Sequence, residues 1–186
     1  MTPAICVAAS WLLWLLVWLV TARWSATTLV RHRPSAVHSV LLWGGVALVF
    51  VPFRGLAVSA LPLFPSVPWA KWVGVATVGA GLVFACWARA RLGPFRSADI
   101  ALKAGHALVR SGPYAVTRHP IYTGLLVGIT GTMLVRDTVL ALLGVVLVTV
   151  AVVVKLGEEE RLLTQHFGGA YETYKAEVPA LVPRLW

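Results

Sequence analysis

The sequence predicts an all-α, polytopic membrane protein of about five transmembrane helices, with a cytoplasmic loop and a helical carboxy-terminal tail. Three observations predict it. Of 186 residues, 59% are hydrophobic and only 12% are charged, against about 25% charged in a soluble domain. The apolar residues fall in charge-free runs of bilayer-spanning scale. The 16 Lys and Arg cluster at the ends of those runs. A soluble chain of this length has too little interior to hide so much apolar surface, so lipid must act as its solvent.

Pro3 to Ala22 carries no charge and is long enough to cross a bilayer. It lacks the basic segment that opens a signal peptide, and is read as the first membrane helix. The second run is Ala36 to Phe53, the third Trp72 to Ala88, the fourth Pro120 to Val135 and the fifth Thr138 to Val154. The last three are short, roughly 24–26 Å as helices. They cross if flanking residues snorkel or the helices extend beyond the core. Only Arg136 and Asp137 separate the last two runs, which predicts a tight helical hairpin. Gly124, Gly128 and Gly131 on its first arm are spaced to let another backbone approach. Trp11, Trp14 and Trp18 form a stripe at helical spacing, suited to lipid contact or helix packing. Trp69 and Trp72 stand where an interfacial aromatic belt is expected.

Orientation follows from Lys and Arg in the connections. The first connection, the third and the tail hold thirteen of them; the second and fourth hold only Arg54, Lys71 and Arg136. The positive-inside rule puts the thirteen in the cytoplasm and the amino terminus outside. The formal charge of +9 therefore reads as attraction to membrane lipids, with no nucleic-acid partner. Cys6 and Cys86 lie far apart in apolar stretches, with neither disulfide nor metal-ligand spacing. Residues 1–186 read as one membrane domain: three helices over 1–89, then a catalytic portion, 90–186, with two helices and the tail.

Two polar segments share the cytoplasmic side, Ala90 to His119 and Lys155 to Trp186, and a water-soluble ligand must be met there. The first ends in Ser111-Gly112-Pro113-Tyr114, a turn signal, and Thr117-Arg118-His119-Pro120-Ile121-Tyr122. Pro120 suits the first position of a helix, and that helix start beside Arg118 and His119 suits a carboxylate or phosphate. Headgroup anchoring by Arg118 and His119 explains the same residues equally well. The tail opens with Lys155-Leu156-Gly157-Glu158-Glu159-Glu160-Arg161. Lys155 and Glu159 share a helix face, Gly168-Gly169 is expected to end the helix, and Tyr171 and Tyr174 follow on a short helix.

These segments resemble the isoprenylcysteine carboxyl methyltransferase family and its relatives, the phospholipid N-methyltransferases among them. The resemblance is carried by His106-Ala107-Leu108-Val109, Gly112-Pro113-Tyr114, Arg118-His119-Pro120-Ile121-Tyr122-Thr123-Gly124, Glu158-Glu159-Glu160, Phe167-Gly168, Tyr171, Tyr174, and Val178-Pro179 ahead of Pro183. It covers roughly the last 85 residues in the family's order, and the ordered set is far more specific than any one piece. It implies an S-adenosylmethionine-dependent methyltransferase whose cofactor lies between the last two helices, the loop and the tail. The implied cofactor contacts are His106, Ala107, Leu108, Val109, Tyr114, His119, Pro120, Ile121, Tyr122 and Glu159, with Asp99 a further polar contact. Lys155 is expected to hold an anionic acceptor, and Glu159 and His119 are the candidate catalytic residues, taking the proton where the acceptor is an amine or hydroxyl. Family members that take a prenylcysteine carboxylate tend to carry arginine near Lys155; lysine keeps the charge without the two-pronged grip.

The expected substrate is a lipophilic small molecule, foremost the carboxylate of an isoprenoid or prenylcysteine-like compound. Alternatives are a phospholipid-type N-methyltransferase, an NADPH-dependent membrane lipid or sterol reductase, and a non-enzymatic scaffold. A transporter fits poorly, because no run carries an ionisable residue at its centre.

Overall fold

The computed structural model of the protein describes residues 1–22, 28–32, 35–52, 61–64, 67–93, 100–103 and 108–181. Its elements are α1 (Pro3–Ala22), β1 (Thr28–His32), α2 (Ala36–Phe50), α3 (Pro68–Leu92), β2 (Ile100–Lys103), α4 (Pro120–Arg136), α5 (Val139–Phe167) and α6 (Gly169–Glu177). The architecture is helical, as the sequence predicts, and it matches an integral membrane protein. α1, α3 and α5 are each long and apolar enough to cross a membrane. α2 and α4, at 15 and 17 residues, are shorter and pack against longer neighbours.

Two of the three short runs lie in longer helices, α3 and α5, while α4 gains only Arg136. α3 begins one turn before Trp72, at Pro68, whose missing N–H costs nothing in a first turn. Trp69 and Trp72 stand exposed on that turn. α5 continues unbroken through Glu158–Glu160 and stops where Gly168 takes a positive φ of 54°, a conformation that favours glycine.

Glycines set the closest helix contacts. A Cβ on Gly124 would stand 2.5 Å from the carbonyl oxygen of Gly81, and one on Gly131 would stand 2.7 Å from that of Gly74. α3 and α4 thus touch backbone to backbone along their length. α2 and α5 meet in the same way, a Cβ on Gly144 falling 2.6 Å from the Gly45 oxygen; the sequence reading did not single out that pair. Gly128 has another neighbour, with Trp11 3.3 Å from the position of its Cβ. Such approach maximises dispersion contact where the hydrophobic effect gives no drive between helices.

α1 is exposed along most of its length, with Val7 its one buried residue. Its tryptophan stripe faces inward. The Trp11 indole N–H donates to Thr132 Oγ1 at 3.0 Å. The Arg89 guanidinium lies 3.6 Å above the Trp18 ring and donates to Thr21 Oγ1 at 2.7 Å and to the Trp18 carbonyl at 2.9 Å. Packing, one of the two roles expected of the stripe, therefore accounts for Trp11 and Trp18.

Contacts between connections fix the topology. β1 and β2 form a two-stranded antiparallel ribbon, Val30 opposite Leu102 and His32 opposite Ile100, which ties the first connection to the third. No strand was expected there. On the other face, the Asp137 carboxylate accepts from the backbone N–H groups of Leu63 and Phe64 at 3.0 and 3.1 Å, and Arg136 donates to the Val51 carbonyl at 3.0 Å. The second and fourth connections therefore meet each other.

Candidate active site

The site is built where the third connection meets the tail. Gly112, with φ of 63°, opens a single 3-10 turn over Gly112–Ala115. The chain then leads into α4 with tail residues 179–181 beside it. The N–H groups of Arg118 and His119 donate to the carbonyls of Pro179 and Ala180 at 2.8 and 3.0 Å. Thr117 Oγ1 donates to the Ala180 carbonyl at 2.5 Å and Thr123 Oγ1 to that of Leu181 at 2.8 Å. Leu181 itself packs into the apolar cluster of Ile129, Val152 and Leu156. Buried backbone polar groups need partners, and the tail supplies them.

Arg118 is almost fully consumed by this junction. Its Nε and Nη2 donate to Glu160 Oε1 at 2.8 and 2.6 Å, and its Nη1 donates to the carbonyls of Lys175 and Val178. Those carbonyls close α6, where a cation also meets the negative end of the helix dipole. The sequence left two uses open for Arg118, anion binding or headgroup anchoring. The structure shows a third, joining α4, α5 and α6. The backbone N–H groups of Arg118 and His119, just before the helix start expected to suit an anion, are taken up by the tail.

His119 is buried, at 7% exposure, between two carboxylates. Its Nε2 lies 3.3 Å from Glu160 Oε1 and its Nδ1 lies 3.7 Å from Glu159 Oε2. The Tyr122 hydroxyl donates to Glu159 Oε1 at 2.7 Å. Lys155 is buried one turn before Glu159, its Nζ 5.5 Å above the Tyr122 ring. Tyr114 is buried, and its carbonyl accepts from the Tyr174 hydroxyl at 2.5 Å. Burial first, then the neighbouring Tyr174 and Glu159, push the Tyr114 phenol well above its ordinary range. It is neutral at any physiological pH.

Of the residues singled out in the sequence, Tyr114, His119, Pro120, Ile121, Tyr122, Lys155 and Glu159 gather here. Leu108 and Val109 are partly buried on the approach to the turn. His106, Ala107 and Asp99 lie outside the described residues. Glu160, Thr117, Thr123 and Leu181 were not anticipated. The three successive glutamates marked the place, but only the phase of α5 against α4 distinguishes them: Glu159 faces Tyr122 and Glu160 faces Arg118.

The donor set suits a small cationic, partly aromatic ligand. Glu159 Oε2 has no hydrogen bond within 3.5 Å among the described residues, and the Glu159 side chain retains 17% exposure. A carboxylate held in place by a tyrosine, with aromatic rings beside it, attracts an ammonium or sulfonium group.

The Arg118–Glu160 pair sets an acid limit. Burial raises the Glu160 pKa, but hydrogen bonds from His119 and Arg118 outweigh it and bring the carboxyl from 4.5 to about 2. A depressed carboxylate adds stability that is complete above its unfolded value and is lost as pH falls through its folded one. The tail should therefore stay docked at pH 5 and release progressively toward pH 2, read as protease cleavage near α6. In Glu160→Gln the tail should be cleaved faster at pH 7, with little further change on acidification.

Comparison with known proteins places this geometry. The model of a family described as phospholipid methyltransferase matches residues 69–170. A protein-S-isoprenylcysteine O-methyltransferase of Schizosaccharomyces pombe is 37% identical over 81 residues, covering 43% of this chain and 34% of that protein. A methanethiol S-methyltransferase of Bradyrhizobium diazoefficiens is 38% identical over 75 residues, covering 39% of this chain and 27% of that protein. The matched segments thus span about a third of their relatives' length. A solved eukaryotic intramembrane Ras methyltransferase, an isoprenylcysteine carboxyl methyltransferase, superposes with a TM-score of 0.56 over 84% of this chain and 55% of its own, at 20% identity. At that identity the likeness is one of fold.

Proposed function

From the premise that this chain belongs to the phospholipid methyltransferase family, we propose that it is a membrane-embedded, S-adenosylmethionine-dependent methyltransferase acting on a lipophilic acid. The single observation that carries this reading is the convergence of His119, Tyr122 and Glu159, from two segments remote in sequence, on one partly open carboxylate. Bound S-adenosylmethionine supplies an electrophilic methyl group on a sulfonium, so transfer needs alignment and no strong acid. Fixing two reactants in line contributes about 7–11 kcal/mol.

The chain's residues divide the work. Glu159, steadied by Tyr122, faces the cofactor's positive groups, with His119 beside it. Tyr114, Leu108, Val109, Pro120 and Ile121 supply apolar and aromatic surface. Lys155 holds the acceptor's anion. One membrane domain carries the whole site, and the positive-inside rule puts that site and the carboxy terminus in the cytoplasm and the amino terminus outside.

A buried cation one turn before Glu159, Lys155, whose Nζ lies 5.5 Å above the Tyr122 ring, supports an acidic acceptor. A carboxylate oxygen that gains a methyl group becomes a neutral ester and releases no proton, so no base is needed. The family's description as phospholipid methyltransferase favours a second reading, an amine acceptor, for which His119 or Glu159 would take the proton.

Methyl-labelled S-adenosylmethionine, incubated with the detergent-purified chain and either a prenyl thioether acid or a phosphatidylethanolamine, tests this. Label in a base-labile ester of the acid is expected. Label in the amine alone would shift the reading to the N-methyltransferase, and label in neither, or in no component of a lipid extract, would overturn it.

A further inference from the structure

We propose that Arg118 and Glu160 form a positioning pair that sets which nitrogen of His119 carries its proton, and so which of the two glutamates is left to grip the cofactor. The inference rests on the methyl-donor reading of the site and assigns its neighbouring charges different tasks.

Three glutamates follow one another on α5, and sequence gives no reason to prefer one. Glu160 Oε1 receives two hydrogen bonds from Arg118 and lies 3.3 Å from His119 Nε2. A carboxylate oxygen so placed accepts, so Nε2 carries the hydrogen. Lys175 Nζ lies 3.9 Å from the other Glu160 oxygen. Arg118 and Lys175 hold this carboxylate ionised, and Arg118 is itself buried and spent on Glu160 and the end of α6. Neither Arg118 nor Glu160 is left to face a ligand.

In neutral His119 the Nε2 proton leaves Nδ1 as an acceptor. Nδ1 then looks toward Glu159 Oε2, another acceptor, across 3.7 Å. Two acceptors facing each other at that distance make no bond between them. They are complementary to a donor that reaches both, such as an ammonium group. With the proton on Nδ1 instead, His119 would donate to Glu159 and satisfy it internally. The ion pair is thus what keeps the Glu159–His119 gap receptive. The same contacts fasten α6 and the tail, so docking of the tail and readiness of the gap come from one pair.

Exchanging the two charges separates positioning from mere cross-linking. In the double variant R118E/E160R the ion pair is remade, but residue 160 offers His119 only donors, which forces the proton to Nδ1. The thermal midpoint in detergent should recover relative to R118E alone, while affinity for S-adenosylhomocysteine stays at least about tenfold below the parent. Recovery of both would overturn the proposal and leave the pair purely structural. Glu160→Leu, which leaves His119 Nε2 no acceptor at residue 160, provides the answer if the exchange does not fold. It should weaken S-adenosylhomocysteine by about tenfold with the KM for the acceptor within about twofold of the parent. Unchanged cofactor affinity, or equal losses for cofactor and acceptor, would also overturn it. A parent that binds no S-adenosylhomocysteine would instead sink the methyl-donor reading, and this inference with it.

Discussion

Glu159→Gln is expected to weaken S-adenosylmethionine binding by roughly 10- to 100-fold, since an interaction with a charged group contributes about 1.5–3 kcal/mol. The substitution keeps size and shape, and the amide oxygen can still accept from Tyr122, whose hydroxyl now lies 2.7 Å from Glu159 Oε1. What disappears is one negative charge facing the ligand. The loss should therefore be larger for S-adenosylmethionine than for S-adenosylhomocysteine, which lacks the sulfonium charge. His119→Ala should weaken both ligands to a similar degree. Competition titration on the purified chain reads all three quantities, and the thermal midpoint of Glu159→Gln should lie close to the parent's. Full cofactor affinity in both variants would show that the ligand binds elsewhere.

The second large effect concerns the scaffold. Gly81→Ala or Gly124→Ala should abolish accumulation of folded protein or lower its thermal midpoint severely. Each added Cβ would meet the other glycine's carbonyl oxygen at 2.5 Å, closer than any non-bonded approach. Backbone is met on both sides, so no side chain can turn away and the helices must separate. Overpacking costs about 1–3 kcal/mol where side chains can yield, and here they cannot. Gly79→Ala, on α3 with nothing within 4 Å of its Cβ, is the control. It should be neutral or gain up to about 1 kcal/mol from helix propensity. Size-exclusion profiles and melting curves of the three variants provide the comparison.

The sequence displayed the helices because lipid makes them obvious. Charge-free runs located α1, α2 and α4 to within a few residues, and Gly168-Gly169 marked the end of α5. The close-packing glycines of α4 were legible because small residues at that spacing have little other use in a membrane. Gly45 and Gly144 form an equally close pair, but each was isolated from a repeating pattern. The β1–β2 ribbon was hidden because it joins residues about seventy positions apart in connections with no alternating apolar pattern.

At the site, residue types were legible and their pairings were not. Arg118 and His119 looked alike as basic residues at a helix start. Whether each faces a ligand or the tail depends on residues 178–181, which pair with them through backbone carbonyls that any sequence would supply. The division between Glu159 and Glu160 is likewise a matter of helix phase. Rotating α5 by one residue, about 100°, would exchange their roles without changing a letter of the sequence.

The central claim is that residues 108–122 and 155–181 close on one methyl donor. Isothermal titration of the detergent-purified chain with S-adenosylhomocysteine, and separately with NADPH, tests it most directly. The account predicts saturable binding of S-adenosylhomocysteine at one site per chain, lost in the combined His119→Ala and Glu159→Gln variant, and no heat from NADPH. Binding of NADPH in place of S-adenosylhomocysteine would contradict it.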